Sequence, residues 1–528
     1  MKRTHYPFLI IAALFLLLRL INITSVYLWY DEIDIIWNTF GSNNSWTTVF
    51  ETSFNNVTQT SSSPWFPIFI LHASIKLFGH YMFIIHLPSL IFSLACLYFL
   101  NLILANLFSN PYSRLVPLLL FTFSVSSIIY SQSPQPIICY FLSTAIQIYF
   151  FIRIIKQARR AVSSSYISRS LQLLTRVSLV AFLFNWMSVV IHLLFITYFI
   201  AFVAGINKTK HLRRVAFTVG EAIIDFIPLG IVAYLRFRMG MHRVIYEVGN
   251  LNDLFRLTYD FLAYHFNYAY TISLYKPLSF NLISLPYIAL FGIGITCFIY
   301  FKKNHRIPAL ITGFAFLAGV YFNLMPFGGI RHSFTIAPFA FIFVGCGIEY
   351  LRSAMPHLHL PLSVFRKTVA VIIVIMLLTF LVSGTQLYSK RKSTLVLDDV
   401  IEMALKNNVE MIAGLNDTYR ILLIMDNTAG KPLKKQDLRL VDYRPPMNTA
   451  LKKPYILISY RCAFNPDFGK DVKWPADISL KQFKNLKITP IKEAIGPLKP
   501  KSDIMVHQSI YYPLNGCFAY LIEPTGKQ

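Results

Sequence analysis

Residues 7–34 read PFLIIAALFLLLRLINITSVYLWYDEID. A near-continuous apolar run, interrupted by Arg19, ends in an aromatic patch and then in three carboxylates within four positions, Asp31, Glu32 and Asp34. Such a run approaches the ~20 apolar residues that cross a hydrocarbon core. Carboxylates just past its end sit where membrane meets water. The two features together predict a protein that is anchored by apolar helices and keeps its chemistry at one membrane face.

Working outward, similar runs recur through the first 388 residues. Of 528 residues, 55% are hydrophobic and 14% charged, with a mean hydropathy of +0.53; an ordinary soluble domain carries about 25% charged residues. This composition excludes disorder, a coiled coil and most soluble enzymes. The expected fold class is a polytopic α-helical membrane protein with eleven spans, near 7–26, 83–108, 115–131, 137–153, 175–187, 190–205, 215–235, 286–301, 308–326, 335–351 and 368–388. The fifth and sixth are short and predict a tight or broken hairpin. No small-residue cleavage pattern follows the first run, which is therefore read as an uncleaved span.

The net charge is +25. The basic residues form short clusters between apolar runs, which fits membrane topology and not a nucleic-acid groove. With the N-terminus cytoplasmic, inside segments carry 19 Lys/Arg and the outside loops before residue 389 carry 7. Residues 64–79 (PWFPIFILHASIKLFG) are apolar enough to span. Counting them as a span would move the basic cluster at 153–160 outside, so they are expected to form an interfacial or re-entrant helix on the outer face. The membrane-embedded domain is thus 1–388, with outer loops at 27–82 and 236–285.

Residues 389–528 hold 22 basic and 14 acidic residues. DDVIEMALKNNVEMIAGL (398–415) reads as helical; YRILLIMD (419–426) and YILISY (455–460) read as short buried strands. This predicts an α/β domain, extracytoplasmic because the span count is odd. Cys462 and Cys517 lie there, either as a disulfide or as free thiols. Cys96, Cys139, Cys297 and Cys346 fall in apolar runs and are expected to be packing residues. There is no CxxC, so neither a zinc nor a redox site is expected, and no cofactor is called for.

Only ten acidic residues occur before residue 389, so the cluster Asp31, Glu32 and Asp34, with Glu51 close behind, stands out. Flanking by Trp29, Tyr30 and Trp37 partly desolvates these carboxyls and raises their pKa towards a value useful for a base. The alternatives are capping of an interfacial helix and metal ligation, though no second acidic cluster completes a metal site. Glu221 and Asp225 share a face of the seventh span, either as functional groups or as polar contacts in the bundle. His192 in the sixth span reads more readily as a bundle histidine than as a catalytic one. MPFGGIRHSF (325–334) places Arg331 and His332 beside Gly328 and Gly329 on the outer face. Arg is permanently charged and two-pronged, which suits a phosphate; snorkelling to the interface is the other reading. Loop 236–285 mixes five basic residues with Tyr, Phe and His, including His265.

Several stretches together resemble a family. Arg19-Leu20 followed by LWYDE is similar to the first outer loop of the GT-C-fold glycosyltransferases that use polyprenyl-phosphate sugars, a group that includes protein mannosyltransferases and aminoarabinose transferases. SSPWFPIFILHASIKLFGHYMFIIHLPSLIFSLACLYFL (62–100), SIIYSQSPQPIICYFLSTAIQIYFFIR (127–153) and GGIRHSFTIAPFAFIF (328–343) resemble its later motifs, in the family's order. The resemblance implies an inverting sugar transfer on the outer face of a membrane, that of a bacterial inner membrane being favoured. The partners would be a polyprenyl-phosphate-linked sugar, an extracytoplasmic glycan, lipid or protein acceptor, and the lipid bilayer. It implies Asp31 as the base and Glu32 as its support. Arg331 and His332 would hold the donor phosphate, and Asp34, Gln132 and His265 are candidate substrate contacts. No metal is implied. The sequence departs from the family pattern at Ser62 and Ser63, at the split prolines Pro64 and Pro67, at His86 in place of Arg, and at Ser133 and Gln135 in place of Glu and Arg. Two rival classes are a lipid-linked-sugar transporter, with Glu221 and Asp225 as coupling groups, and a catalytically inactive membrane assembly protein.

Overall fold

The computed structural model describes residues 6–24, 35–36, 45–59, 65–79, 81–134, 137–158, 164–185, 188–206, 334–391, 397–415, 437–443, 453–460, 486–492 and 517–524, with positions 220, 224, 227, 265, 289 and 291–294. The helices are α1 (Tyr6–Leu20), α2 (Trp46–Gln59), α3 (Trp65–Phe78), α4 (Met82–Leu107), α5 (Pro111–Phe123), α6 (Val125–Ser131), α7 (Ile138–Ala158), α8 (Ser164–Phe184), α9 (Ser188–Ile206), α10 (Ala337–Ala354), α11 (Leu362–Arg391) and α12 (Leu397–Lys406).

Among the described residues, Met82–Leu107, Ile138–Lys156 and Leu362–Leu381 are long and apolar enough to cross a membrane. The pair α5 and α6 makes a fourth if taken as one bent span. The chain is therefore an α-helical membrane protein. The expected seventh, eighth and ninth spans fall outside the described residues apart from isolated helical positions.

Local sequence explains where several helices start and stop. Asn110 caps α5 by accepting from the Tyr112 N–H at 3.2 Å, and Pro111 follows at a first-turn position where no N–H is needed. Ser124 then interrupts the run. Its backbone is extended (φ −62°, ψ 120°), and its hydroxyl accepts from Ser127 N to start α6. The result is a 59° bend inside what the sequence reading took as a single span at 115–131. The first span also ends earlier than expected. Asn22 takes a left-handed conformation (φ 59°), which Asn tolerates better than most residues and which stops a helix. The fifth span begins at Ser164 rather than 175, extending helix into a stretch counted as loop. With α9 it forms the expected tight hairpin, turned at Asn185, whose N–H reaches Ala181 O and whose carbonyl accepts from Ser188 N.

Four helices meet around one ring. Phe121 of α5 stacks on Phe15 of α1 (centroids 5.7 Å) and Phe141 of α7 (4.7 Å), and takes the edge of Phe341 of α10 (5.4 Å). Phe123 reaches Phe380 of α11 at 5.0 Å. Cys96 of α4, Cys139 of α7 and Cys346 of α10 are buried free thiols. Outside the spans, α2 packs on α3 through Phe50, which meets Trp65 (5.2 Å) and Phe69 (6.4 Å).

In the C-terminal part, β1 (Met411–Leu415), β2 (Arg439–Tyr443), β3 (Tyr455–Tyr460), β4 (Leu486–Lys492) and β5 (Cys517–Pro524) form one mixed sheet in the order β2-β1-β3-β5-β4. β1 runs parallel to both neighbours; β5 runs antiparallel to β3 and β4. YILISY is thus a strand, whereas 411–415, read from sequence as helical, is strand as well. The helix ends sooner because Asn408 adopts φ 51°. Asn408 N–H then bonds Leu405 O, and Val409 N–H bonds Ala404 O, a Schellman stop. Cys517 begins β5 and pairs in register with Tyr460. Residues 419–426 and Cys462 lie outside the described residues.

One helix crossing admits no side chain. A Cβ at Gly294 would lie 1.9 Å from the Phe343 carbonyl oxygen and 2.7 Å from its carbon, both backbone atoms of α10. Gly294→Ala should therefore destabilise the purified protein by about 1–3 kcal/mol, the range for overpacking. Its thermal midpoint should fall, whereas Gly292→Ala, which meets nothing within 4 Å, should leave it nearly unchanged.

Candidate functional site

The described part of the site is built around Arg19. An arginine in an apolar run is expensive to bury, yet Arg19 is fully buried. Its guanidinium satisfies groups that the bend in α5 and α6 leaves open. Nη1 donates to Thr122 O (3.1 Å) and Phe15 O (3.2 Å). Nη2 donates to Phe121 O (3.3 Å) and Ser127 Oγ (2.7 Å), and Nε to Ser131 Oγ (3.0 Å). The last carbonyls of a helix carry partial negative charge, so a cation is the fitting cap. The guanidinium carbon also lies over Phe15, 3.3 Å from the ring centre.

The lock is reciprocal. Gln132, one residue beyond α6, donates its amide to Arg19 O (2.8 Å) and Ile21 O (2.9 Å), covering the open C-terminal end of α1. Each helix end is thus closed by a side chain from the other. Gln132, a candidate substrate contact from sequence, is buried in this clamp together with Ser133.

A second contact chain joins this lock to distant parts of the sequence. Tyr130 of α6 meets Phe334 edge-on at 5.0 Å, and Phe334 meets His265 at 4.8 Å. Thr335 accepts from the Asn185 amide at the α8–α9 turn (3.0 Å). Stretches 19–21, 130–133, 185, 265 and 334–335 therefore converge. Three of them carry the family-like motifs. Phe334 stands two and three positions beyond His332 and Arg331, which lie outside the described residues, as do Asp31, Glu32, Asp34, Gln135, Glu221 and Asp225.

The chain just past the acidic cluster is described at Ile35 and Ile36, both buried. Ile35 O bonds His72 Nε2 at 2.9 Å, and His72 Nδ1 bonds Ser53 Oγ at 2.8 Å. Helices α2 and α3 thereby hold the backbone at Ile35, one position beyond Asp34 in sequence. Sequence reading missed His72, Ser53 and Asn185, and noted Arg19 for its place in the first span and in the family-like motif but not as the centre of a polar lock. The available signal was the cost of polar groups in apolar runs: a lone Arg in one run and the serines of SVSSIIYSQS (124–133) in another. His86 and His192 are buried in α4 and α9. Among the described residues, no three His, Cys, Asp or Glu are placed to hold a metal ion.

A helical membrane bundle with a bent inner span, a helix pair packed on it and a C-terminal sheet is a fold shared with solved membrane-protein structures. In particular, the chain is similar to the crystal structure of ArnT from Cupriavidus metallidurans in the apo state. That similarity has a TM-score of 0.55 at 12% identity and covers 98% of this chain and 99% of that one. The same protein bound to undecaprenyl phosphate matches with a TM-score of 0.53 at 12% identity and the same coverage. No family model and no curated protein matches the sequence.

Burial holds His265 neutral, with its pKa lowered from 6.5 to about 3. Burial likewise lowers that of His72 to about 4, opposed by its bond to the Ile35 carbonyl. Neither lies in a segment read as a span. Unfolded chain binds protons at these positions as pH falls below 6.5, while the folded chain does not until about 4 and about 3. Stability should therefore fall between these values, and a thermal-midpoint profile should show less loss on acidification for His265→Phe than for the wild type. Independently, Ser127→Ala removes a hydrogen bond to a charged group and should cost ~1.5–3 kcal/mol, measured as a lower thermal midpoint in detergent.

Proposed function

We propose that this protein is an integral-membrane glycosyltransferase that moves a sugar from a polyprenyl-phosphate donor to an acceptor on the extracytoplasmic side. The observation that carries this reading is the end-to-end fold similarity to ArnT, including its undecaprenyl phosphate complex. Convergence of the Arg19, Ser131-Gln132 and Phe334 stretches supports it, because the same stretches carry the family-like motifs.

In the reaction, an acceptor hydroxyl attacks the anomeric carbon from the face opposite the phosphate. The carbon–oxygen bond to the phosphate breaks, the lipid leaves as its monophosphate, and the hydroxyl proton passes to Asp31. Glu32 supports the same site, and Asp34, Gln132 and His265 are the candidate substrate contacts. Arg331 and His332 offset the charge on the leaving phosphate; such preorganised stabilisation is often the largest catalytic contribution. The lipid tail lies between helices. The acceptor is a glycan, lipid or protein, selected with help from residues 389–528. The N-terminus is cytoplasmic and this C-terminal part extracytoplasmic, which a reporter fused after Ser389 checks by being active only outside the cytoplasm.

The decisive experiment is sugar transfer by purified protein in lipid nanodiscs, with polyprenyl-phosphate-linked sugar as donor. Asp31→Asn keeps size and hydrogen bonding but removes the base, so turnover should fall by ~10²–10⁴-fold while the protein still folds. Arg331→Ala should weaken donor use by ~1.5–3 kcal/mol, and Arg331→Lys by less, since it keeps the charge but not the two-pronged geometry. Transfer at the wild-type rate by Asp31→Asn removes Asp31 as base. No transfer to any acceptor, with transport of the lipid-linked sugar instead, replaces the enzyme reading with a transporter.

A further inference from the structure

We propose that His72 is a positioning residue: its Nε2–H latches the Ile35 carbonyl and thereby holds the segment that carries the acidic cluster. The proton on Nε2 follows from its partner. A backbone carbonyl only accepts, so the 2.9 Å contact to Ile35 O requires Nε2 to be the donor. Nδ1 then faces Ser53 Oγ at 2.8 Å, and Ser53 Oγ also lies 2.7 Å from Val49 O within α2.

When His72 is neutral, Nδ1 accepts a hydrogen bond from the Ser53 hydroxyl, which then does not donate to Val49 O. Protonated His72 donates from both nitrogens and frees the hydroxyl proton for Val49. Nε2 keeps its hydrogen in both states, so the bond to Ile35 survives a change in protonation.

The latch is rigid on its inner side. His72 and Ser53 are fully buried, one on each of two packed helices, with Phe50, Trp65 and Phe69 interlocked beside them. On its outer side it grips backbone, not a side chain. A carbonyl grip fixes the path of the main chain four residues after Asp31, three after Glu32 and one after Asp34, whatever those side chains contact. Burial of Ile35 and Ile36 adds apolar anchoring to the same point. A group that acts as a base must be held to within a fraction of an ångström of its target, and a 1 Å displacement costs ~10²-fold in rate. The catalytic consequence rests on the glycosyltransferase reading; the latch does not.

The test uses the full chain in nanodiscs and two readouts. Backbone hydrogen exchange across residues 33–36 reports the latch directly. His72→Ala should speed that exchange by roughly 10-fold or more and lower kcat by about 10–10²-fold, leaving the donor KM within about twofold because the phosphate contacts are elsewhere. Glutamine places an amide N–H where Nε2 stood and should restore both exchange protection and kcat. Asparagine reaches only the Nδ1 position and should restore neither. Ser53→Ala, which leaves the Ile35 bond in place, should have a smaller effect than His72→Ala on both. Exchange in His72→Ala equal to the wild type overturns the latch, as does equal rescue by asparagine and glutamine. His72-dependent exchange in a wild type that transfers no sugar supports the latch and removes only the glycosyltransferase reading.

Discussion

A buried arginine is tolerated only where enough acceptors surround it, and Arg19 meets that condition through a neighbouring helix that fails to stay straight. At the bend at Ser124, Phe121 O and Thr122 O accept from the guanidinium, and Ser127 and Ser131 meet it from the next short helix. Without the bend the guanidinium lacks acceptors; without the guanidinium the broken helix end lacks a donor. Gln132 closes the return path onto the end of α1. In hydrocarbon, where water cannot stand in, such mutual satisfaction is the condition for irregular backbone to exist at depth.

The position of the candidate site follows from this lock. The end of α1 is set by Gln132 and Asn22, so the point where the chain leaves towards Asp31 is set as well. Tyr130, inside the same short helix, carries the contact through Phe334 to His265. Two short segments from opposite ends of the membrane part are thereby brought to one place. A weaker side-chain network would leave that distance to loop entropy.

The α2–α3 pair contributes differently. Helices α2 and α3 share an aromatic interface and present one histidine to passing backbone. The chain is thus fixed at two described points, the end of α1 by the lock and Ile35 by the His72 contact. Short spacing between anchors is what limits the conformations of the residues between them.

Hydrophobic length and charge distribution by themselves determined that this chain is a helical membrane protein, and that its scarce carboxylates cluster just beyond the first apolar run. Those properties sum over many residues, so they survive without knowledge of any contact. The order of the motifs in 15–155 and 325–350 was equally legible, because it depends only on residue identity. Local signals also explain Asn110 as a cap. What residue counts could not deliver was the bend at Ser124, since an apolar run with serines reads the same whether straight or broken. Nor could they deliver the α5 and α6 groups that accept from the Arg19 guanidinium, which lie 102 to 112 positions away. The strand at 411–415 was misread as helix because its neighbours favour helix, until parallel pairing with β2 and β3 claims its backbone. His72 gave no sign in sequence, for a lone histidine in an apolar helix gains meaning only from the carbonyl that folding brings to it. Tertiary structure decided these points because each is a hydrogen bond between groups far apart in the chain, and a buried polar group is stable only when its partner has arrived.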